Sequence, residues 1–189
     1  MNDECDERCL SEPAPSSPSL PLQLPKVPLD IVICAKNEAC DLLRAGNFDA
    51  LISINDPEFQ SQGMSLDTKQ QLCKEFQAAL DTGKLDDQDE RPSLFLWFWD
   101  TRYKTINGPN DDHVQLIRNF ALSLPVGTRL LVHCVAGVSR STAAAIISLA
   151  VHGMPVSDAT NEVKRIRSIA MPNTLLLKLA FGSKNDDES

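Results

Sequence analysis

A short loop held between a buried strand and a helix constrains this chain more than any other feature. Leu130-Leu-Val-His133 is an apolar run closed by a histidine, which reads as a buried strand. The Ala-rich run over 140–152 reads as a helix, and Gly153 ends it. A strand that leads straight into a helix is half of a βαβ unit, and such units build parallel sheets. The rest of the chain repeats the alternation. Asp30–Cys34 reads as a buried strand, 38–46 as a short helix ended by Gly46, and Asp49–Ile54 as a second strand stopped by Asn55-Asp56-Pro57. Leu66, Leu72, Phe76 and Leu80 have helical spacing over 66–82, closed by Gly83. Ser93–Trp99 is apolar enough for a central strand. Val114, Ile117, Phe120, Ala121 and Leu124 predict an amphipathic helix capped by Asp111 or Asp112. Ser157 is expected to cap a helix over 158–169, and Asn173 a last short one. The pattern predicts an α/β fold with a mostly parallel central sheet flanked by helices.

With 189 residues, 42% of them hydrophobic, the chain can build one domain with a substantial core. That domain is expected over 29–182. Residues 1–28 are rich in Pro, Ser and acid and cannot bury enough apolar surface to offset their ordering entropy, so a disordered tail is expected there. A short acidic tail is expected over 183–189. The formal charge is −8, much of it in the two tails. Nothing resembles the basic footprint of a nucleic-acid binder. No apolar run approaches the roughly 20 residues that cross a bilayer, and the acidic N-terminus is not read as a signal peptide. A cytoplasmic location with reduced thiols is the expectation for Cys5, Cys9, Cys34, Cys40, Cys73 and Cys134. Cys5 and Cys9 have no second pair elsewhere that would complete a metal site. Oligomeric state is not read from the sequence.

The loop Cys134-Val-Ala-Gly-Val-Ser139 joins the carboxyl end of a strand to the start of a helix. Backbone N–H groups and the helix dipole make such a place an anion site. A nearby arginine and a helix N-terminus lower a thiol from about 8.5 toward neutrality, and the thiolate is the nucleophile. Cys134 is the candidate nucleophile. Arg140, six positions on, can hold two phosphate oxygens with its planar fork. Gly137 lets the backbone wrap closely, and Ser141 offers a hydroxyl beside the thiolate. The substrate contacts expected are Val135, Ala136, Gly137, Val138, Ser139 and Arg140. None of Val135–Ser139 is charged, which favours a phosphorylated protein side chain over a polyanion.

His133-Cys134-Val-Ala-Gly-Val-Ser-Arg140-Ser141 resembles the His-Cys-x5-Arg-Ser/Thr signature of the protein tyrosine phosphatase superfamily. The flanks over Leu130–Ala145, the element Arg167…Met171-Pro-Asn173, and Asp49-Ala-Leu-Ile-Ser-Ile54 resemble its dual-specificity branch and a group of small bacterial tyrosine-phosphatase-like proteins. The resemblance implies a cysteine-phosphatase fold. It also implies a general acid on a loop well before the cysteine. Asp100, which closes the strand before it and lies 34 positions ahead of Cys134, is the choice for that acid. Asp111 and Asp112 compete with it but are read first as helix caps. His133 is read as a positioning residue, and His113 and His152 as surface or cap residues. Cys34, Cys40 and Cys73 are read as core thiols, with one of them a conceivable disulfide partner for Cys134. Trp97 and Trp99 are read as core, one of them a conceivable pocket wall.

The expected activity is cysteine-dependent hydrolysis of a phosphomonoester through a cysteinyl-phosphate, with no metal or organic cofactor and a phosphorylated protein as substrate. The alternatives are a non-catalytic phospho-binding module of the same fold, or a phosphatase for inositol phosphates, lipids or RNA 5′-phosphates. The sequence does not separate phosphotyrosine from phosphoserine or phosphothreonine.

Overall fold

The computed structural model describes residues 29–46, 48–57 and 91–182. The helix expected over 66–82 and both expected tails lie outside the described residues. Four strands and five helices follow in chain order among them: β1 (Asp30–Ala35), α1 (Lys36–Arg44), β2 (Ala50–Asn55), β3 (Ser93–Trp97), α2 (Asp111–Ser123), β4 (Arg129–Cys134), α3 (Arg140–Val151), α4 (Val156–Ile166) and α5 (Thr174–Phe181). The strands form one sheet in the order β1-β4-β2-β3, and each neighbouring pair is parallel.

β4 is central because both its faces are apolar: Leu130, Leu131, Val132 and His133 are all fully buried. Alternate residues serve two cores. Leu130, Val132 and Cys134 pack with Ile52, Ile54, Ile146, Ile147 and Leu176 on the face covered by α3 and α2, with α5 packed on those two helices. Leu131 packs with Cys34, Ala39, Leu43 and Phe48 on the face covered by α1. A fully buried Ile or Leu contributes roughly 1.5–3 kcal/mol, so the larger cluster anchors α3 firmly beneath the loop that precedes it.

β3 stands at the end of the sheet among the described residues and is not central as its apolarity suggested. Its apolar residues are covered by other means. Phe95 and Trp97 stack on one another at 6.3 Å. Leu96 and Phe98 turn to the larger core, where Phe98 meets the His113 ring of α2 at 4.5 Å.

The caps differ from expectation in two places. Asn110, not Asp111 or Asp112, caps α2: its side chain accepts the His113 N–H at 3.0 Å, and the two acids occupy the first turn. The preceding residue won because it is the one with extended backbone, φ −138°. Ser157 lies inside α4, which starts at Val156 behind Pro155, and its hydroxyl bonds Asp158 at 3.3 Å. That helix ends at Ile166, earlier than expected, because the chain then crosses back to the 134–139 loop. His152 is the C-cap of α3 but is buried, with Nε2 2.7 Å from the Ala121 carbonyl of α2. Asn173 caps α5 as expected, accepting the Leu176 N–H at 2.9 Å.

Candidate active site

Parallel strands put all their carboxyl ends at one edge of the sheet. Asp56 follows β2, Asp100 follows β3 and Cys134 ends β4, so three chemically active side chains gather there from distant parts of the sequence. The loop 134–139 then leads into α3 at Arg140.

The loop's carbonyls are bound from outside. Val135 O accepts Lys36 N at 3.2 Å, Val138 O accepts Met171 N at 2.9 Å, and Ser139 O accepts Asn173 N at 3.2 Å. Thr142 adds its hydroxyl to the Val138 and Ser139 carbonyls at 2.7 and 2.8 Å. In a planar trans peptide the N–H points opposite to the C=O. With those carbonyls turned outward, the loop leaves N–H groups to face inward, and the amides of Val138 and Ser141 hydrogen-bond the Cys134 sulfur. Gly137 sits at φ +67°. A Cβ there would lie 2.5 Å from the backbone carbonyl of Cys34, so the loop rests directly on β1.

Cys134 is 1% exposed, and its Sγ lies 3.2 Å from Ser141 Oγ. Burial alone pushes the thiol up. The Ser141 hydroxyl, the amides of Ser141 and Val138 and the Arg140 charge outweigh it, and the thiol is held below its ordinary value. His133 is fully buried; burial, with help from the Lys36 charge, pushes it down to about 4. It is neutral near pH 7, which fits a positioning residue and not a base. Cys34 pairs with His133 in the ladder while Cys134 pairs with Ala35. The two thiols thus sit on opposite faces of the sheet, in separate cores, and Cys34 is not placed to form a disulfide with Cys134. Cys73 lies outside the described residues, as does the side chain of Cys40.

Arg140 is 3% exposed. One terminal nitrogen, Nη1, donates to Asp56 Oδ1 at 2.6 Å and to the Phe98 carbonyl at 2.7 Å. Nε is buried and has no hydrogen-bond partner among the described residues. A buried guanidinium N–H without an acceptor is costly. That N–H keeps an unfilled hydrogen bond.

Asp100 is exposed, and its Oδ1 accepts the Ser139 hydroxyl at 2.7 Å and Asn173 Nδ2 at 2.8 Å. Ser139 stands at the N-cap of α3 yet makes no side-chain cap: its backbone is at φ −115°, ψ −71° and not extended, and its hydroxyl is aimed at Asp100, to which it donates. Asn173 also donates to Thr101 O at 3.0 Å. One asparagine thereby ties the loop around Cys134, the segment after β3 and α5 together. The structure sets three contacts around one loop: Cys134 with Ser141, Ser139 with Asp100, and Arg140 with Asp56 and the Phe98 carbonyl. Asp111 and Asp112 make no hydrogen bond to the 134–140 segment among the described residues.

Two participants escaped sequence reasoning. Asp56 read only as a strand stop, and Asn173 as a helix cap and part of the element resembling the dual-specificity branch, with no contact to Asp100 expected. For Asp56 the available signal was a carboxylate directly after a buried strand, the same signal that singled out Asp100. Trp99 holds the start of the Asp100 segment, its N–H donating to Asn107 O at 2.7 Å.

No family model matches this chain, and no curated protein matches it in sequence. Solved structures do share its fold. The PTP-2 phosphatase of Cydia pomonella is similar over 84% of this chain and 91% of its own, at 21% identity and a TM-score of 0.55. Human DUSP28 is similar over 83% of this chain and 92% of its own, at 16% identity and a TM-score of 0.48. DUSP15 is similar over 83% and 81%, at 22% identity and a TM-score of 0.48. The chain shares the fold of the Cydia pomonella PTP-2 phosphatase.

Proposed function

We propose that the chain hydrolyses phosphomonoesters through a cysteinyl-phosphate, with a phosphorylated tyrosine, serine or threonine side chain of a protein as substrate. The observation that carries this reading is the buried Nε of Arg140, left without an acceptor beside a cysteine held below its ordinary thiol value. A phosphoryl group supplies the missing acceptor and is also what the thiolate attacks.

In the first step the Cys134 thiolate forms an S–P bond as the P–O bond to the leaving group breaks. The Arg140 edge and the inward amides hold the equatorial oxygens. Asp100 gives its proton to the leaving oxygen. Its Oδ1 is taken as an acceptor by Ser139 and Asn173, which leaves Oδ2 to carry that proton. In the second step water attacks phosphorus, Asp100 takes a proton from it, and the S–P bond breaks. The Ser141 hydroxyl, 3.2 Å from the sulfur, stabilises the departing thiolate. The residues required are all protein side chains and amides.

The test is Cys134→Ser in the intact chain. Hydrolysis of an aryl phosphate is expected to fall below about a thousandth of the parent rate, with orthophosphate binding retained. Turnover by the Ser variant above that level removes Cys134 from its role. Binding of a phosphopeptide by a parent chain that never hydrolyses it makes the protein a non-catalytic reader.

A further inference from the structure

Arg140 is the cation whose charge acts on Cys134 among the described residues, and a guanidinium on a long stem has several rotamers. Two contacts select one of them. The Phe98 carbonyl comes from the end of β3 and Asp56 from the end of β2, and both take the same nitrogen, at 2.7 and 2.6 Å. With two acceptors on Nη1, the plane of the guanidinium is fixed. The backbone carbonyl cannot be varied by evolution or by mutation. Asp56 can, and its side chain is 31% exposed against 4% for Arg140.

We propose that Asp56 is a positioning residue for Arg140: its carboxylate holds Nη1 so that the remaining edge of the fork faces the phosphoryl oxygens. This rests on the phosphatase reading of the same site. Asp56 touches neither the substrate nor the sulfur in this account and acts through Arg140 alone. Its charge has a second effect. It offsets part of the positive field that Arg140 exerts on Cys134. Among the described residues, the charged and titratable groups at this loop are Arg140, which acts on the sulfur, Asp56 bonded to Arg140, Asp100 bonded to Ser139, His133 next to Cys134 on β4, and Lys36, whose charge acts on His133. Of these, Asp56 is the one in direct contact with the cation. Removing its charge therefore makes two properties move in opposite directions. The thiol becomes more acidic, while anion binding and turnover become worse.

The experiment uses the full chain with Asp56→Asn and Asp56→Ala. Asn keeps an oxygen at the same reach and serves if Ala fails to fold. Three quantities are read: kcat and KM on an aryl phosphate, orthophosphate affinity by calorimetry in the Cys134→Ser background, and the pH dependence of Cys134 alkylation by iodoacetamide. Asp56→Ala is expected to lose about ten- to a hundredfold in kcat and about tenfold in orthophosphate affinity, the scale of one charged hydrogen bond. Asn should recover part of both. In both variants the alkylation midpoint should move to lower pH. Orthophosphate affinity within twofold of the parent, or an alkylation midpoint that stays put or rises, overturns the proposal. A parent chain that binds no orthophosphate fails the phosphatase reading instead, and the alkylation midpoint then still decides whether Asp56 offsets Arg140.

Discussion

Gly137→Ala isolates how much the site depends on the close seat of its loop. Two costs combine there. An L-residue at φ +67° pays for the left-handed conformation, roughly 1–2 kcal/mol. The new Cβ also falls 2.5 Å from the carbonyl carbon and oxygen of Cys34 and 2.7 Å from the Ala35 nitrogen. Those atoms belong to β1, which is fixed by its ladder to β4, so the loop must lift and not the strand. Reaching ordinary contact requires a displacement of about 1 Å, and a misplacement of that size at a reacting centre costs about a hundredfold in rate. Overpacking adds about 1–3 kcal/mol to the stability loss. Gly127→Ala is the control, because it shares the left-handed backbone, φ +82°, but has nothing within 4 Å of the added carbon. Both variants are measured for kcat/KM on an aryl phosphate and for urea unfolding. Gly127→Ala should lose only the conformational cost and keep its rate. Gly137→Ala should lose more stability and about two orders of magnitude in kcat/KM. Equal stability losses, or a Gly137→Ala rate within threefold of the parent, would refute the argument that the loop is seated on β1.

Asp100→Asn should remove the basic limb of the pH–rate profile and hurt aryl phosphates of high leaving-group pKa far more than activated ones, whereas Asp111→Asn and Asp112→Asn should leave the profile alone. A steeper leaving-group dependence in either of the latter moves the acid to the start of α2. His133 titrates near 4 in the fold against about 6.5 in the unfolded chain, so the unfolded state binds more protons between those values. Stability should therefore fall as pH drops from about 6.5 to 4, by up to about 3 kcal/mol, and level off below. Denaturant melts of the parent and of His133→Gln across that range check it, since an unchanged slope in the variant assigns the acid lability elsewhere.

Much of this protein was legible before any coordinates. The run Leu130–His133 and the alanines after Arg140 are local signals: period, apolarity and a glycine stop decide strand and helix within a few residues. Cys134, Arg140 and Ser141 were legible for the same reason, since the loop that joins them is short and its geometry is set by what flanks it. The helix cap at Asn110 was missed by one residue, because capping depends on which backbone turns extended, and side-chain type alone does not say. The place of β3 was misread because apolar content reports burial and not who does the burying; Phe95 and Trp97 cover each other.

Only the tertiary structure decided which carboxylates and amides meet the loop. Asp56 is 84 residues from Arg140 and Asn173 is 73 from Asp100, yet each pair is in hydrogen-bond contact. No period or motif spans such distances. They are set by the strand order β1-β4-β2-β3, which lays the ends of β2, β3 and β4 side by side. The same order, with its one-residue register, turns Cys34 and Cys134 to opposite faces. Local sequence determined the loop that starts at Cys134 and the helix that follows it, because those interactions close within a dozen residues. The sheet brings Asp56 to Arg140, and the return of the chain after α4 to the 138–139 carbonyls brings Asn173 to Asp100; both are matters of topology and not of proximity in sequence.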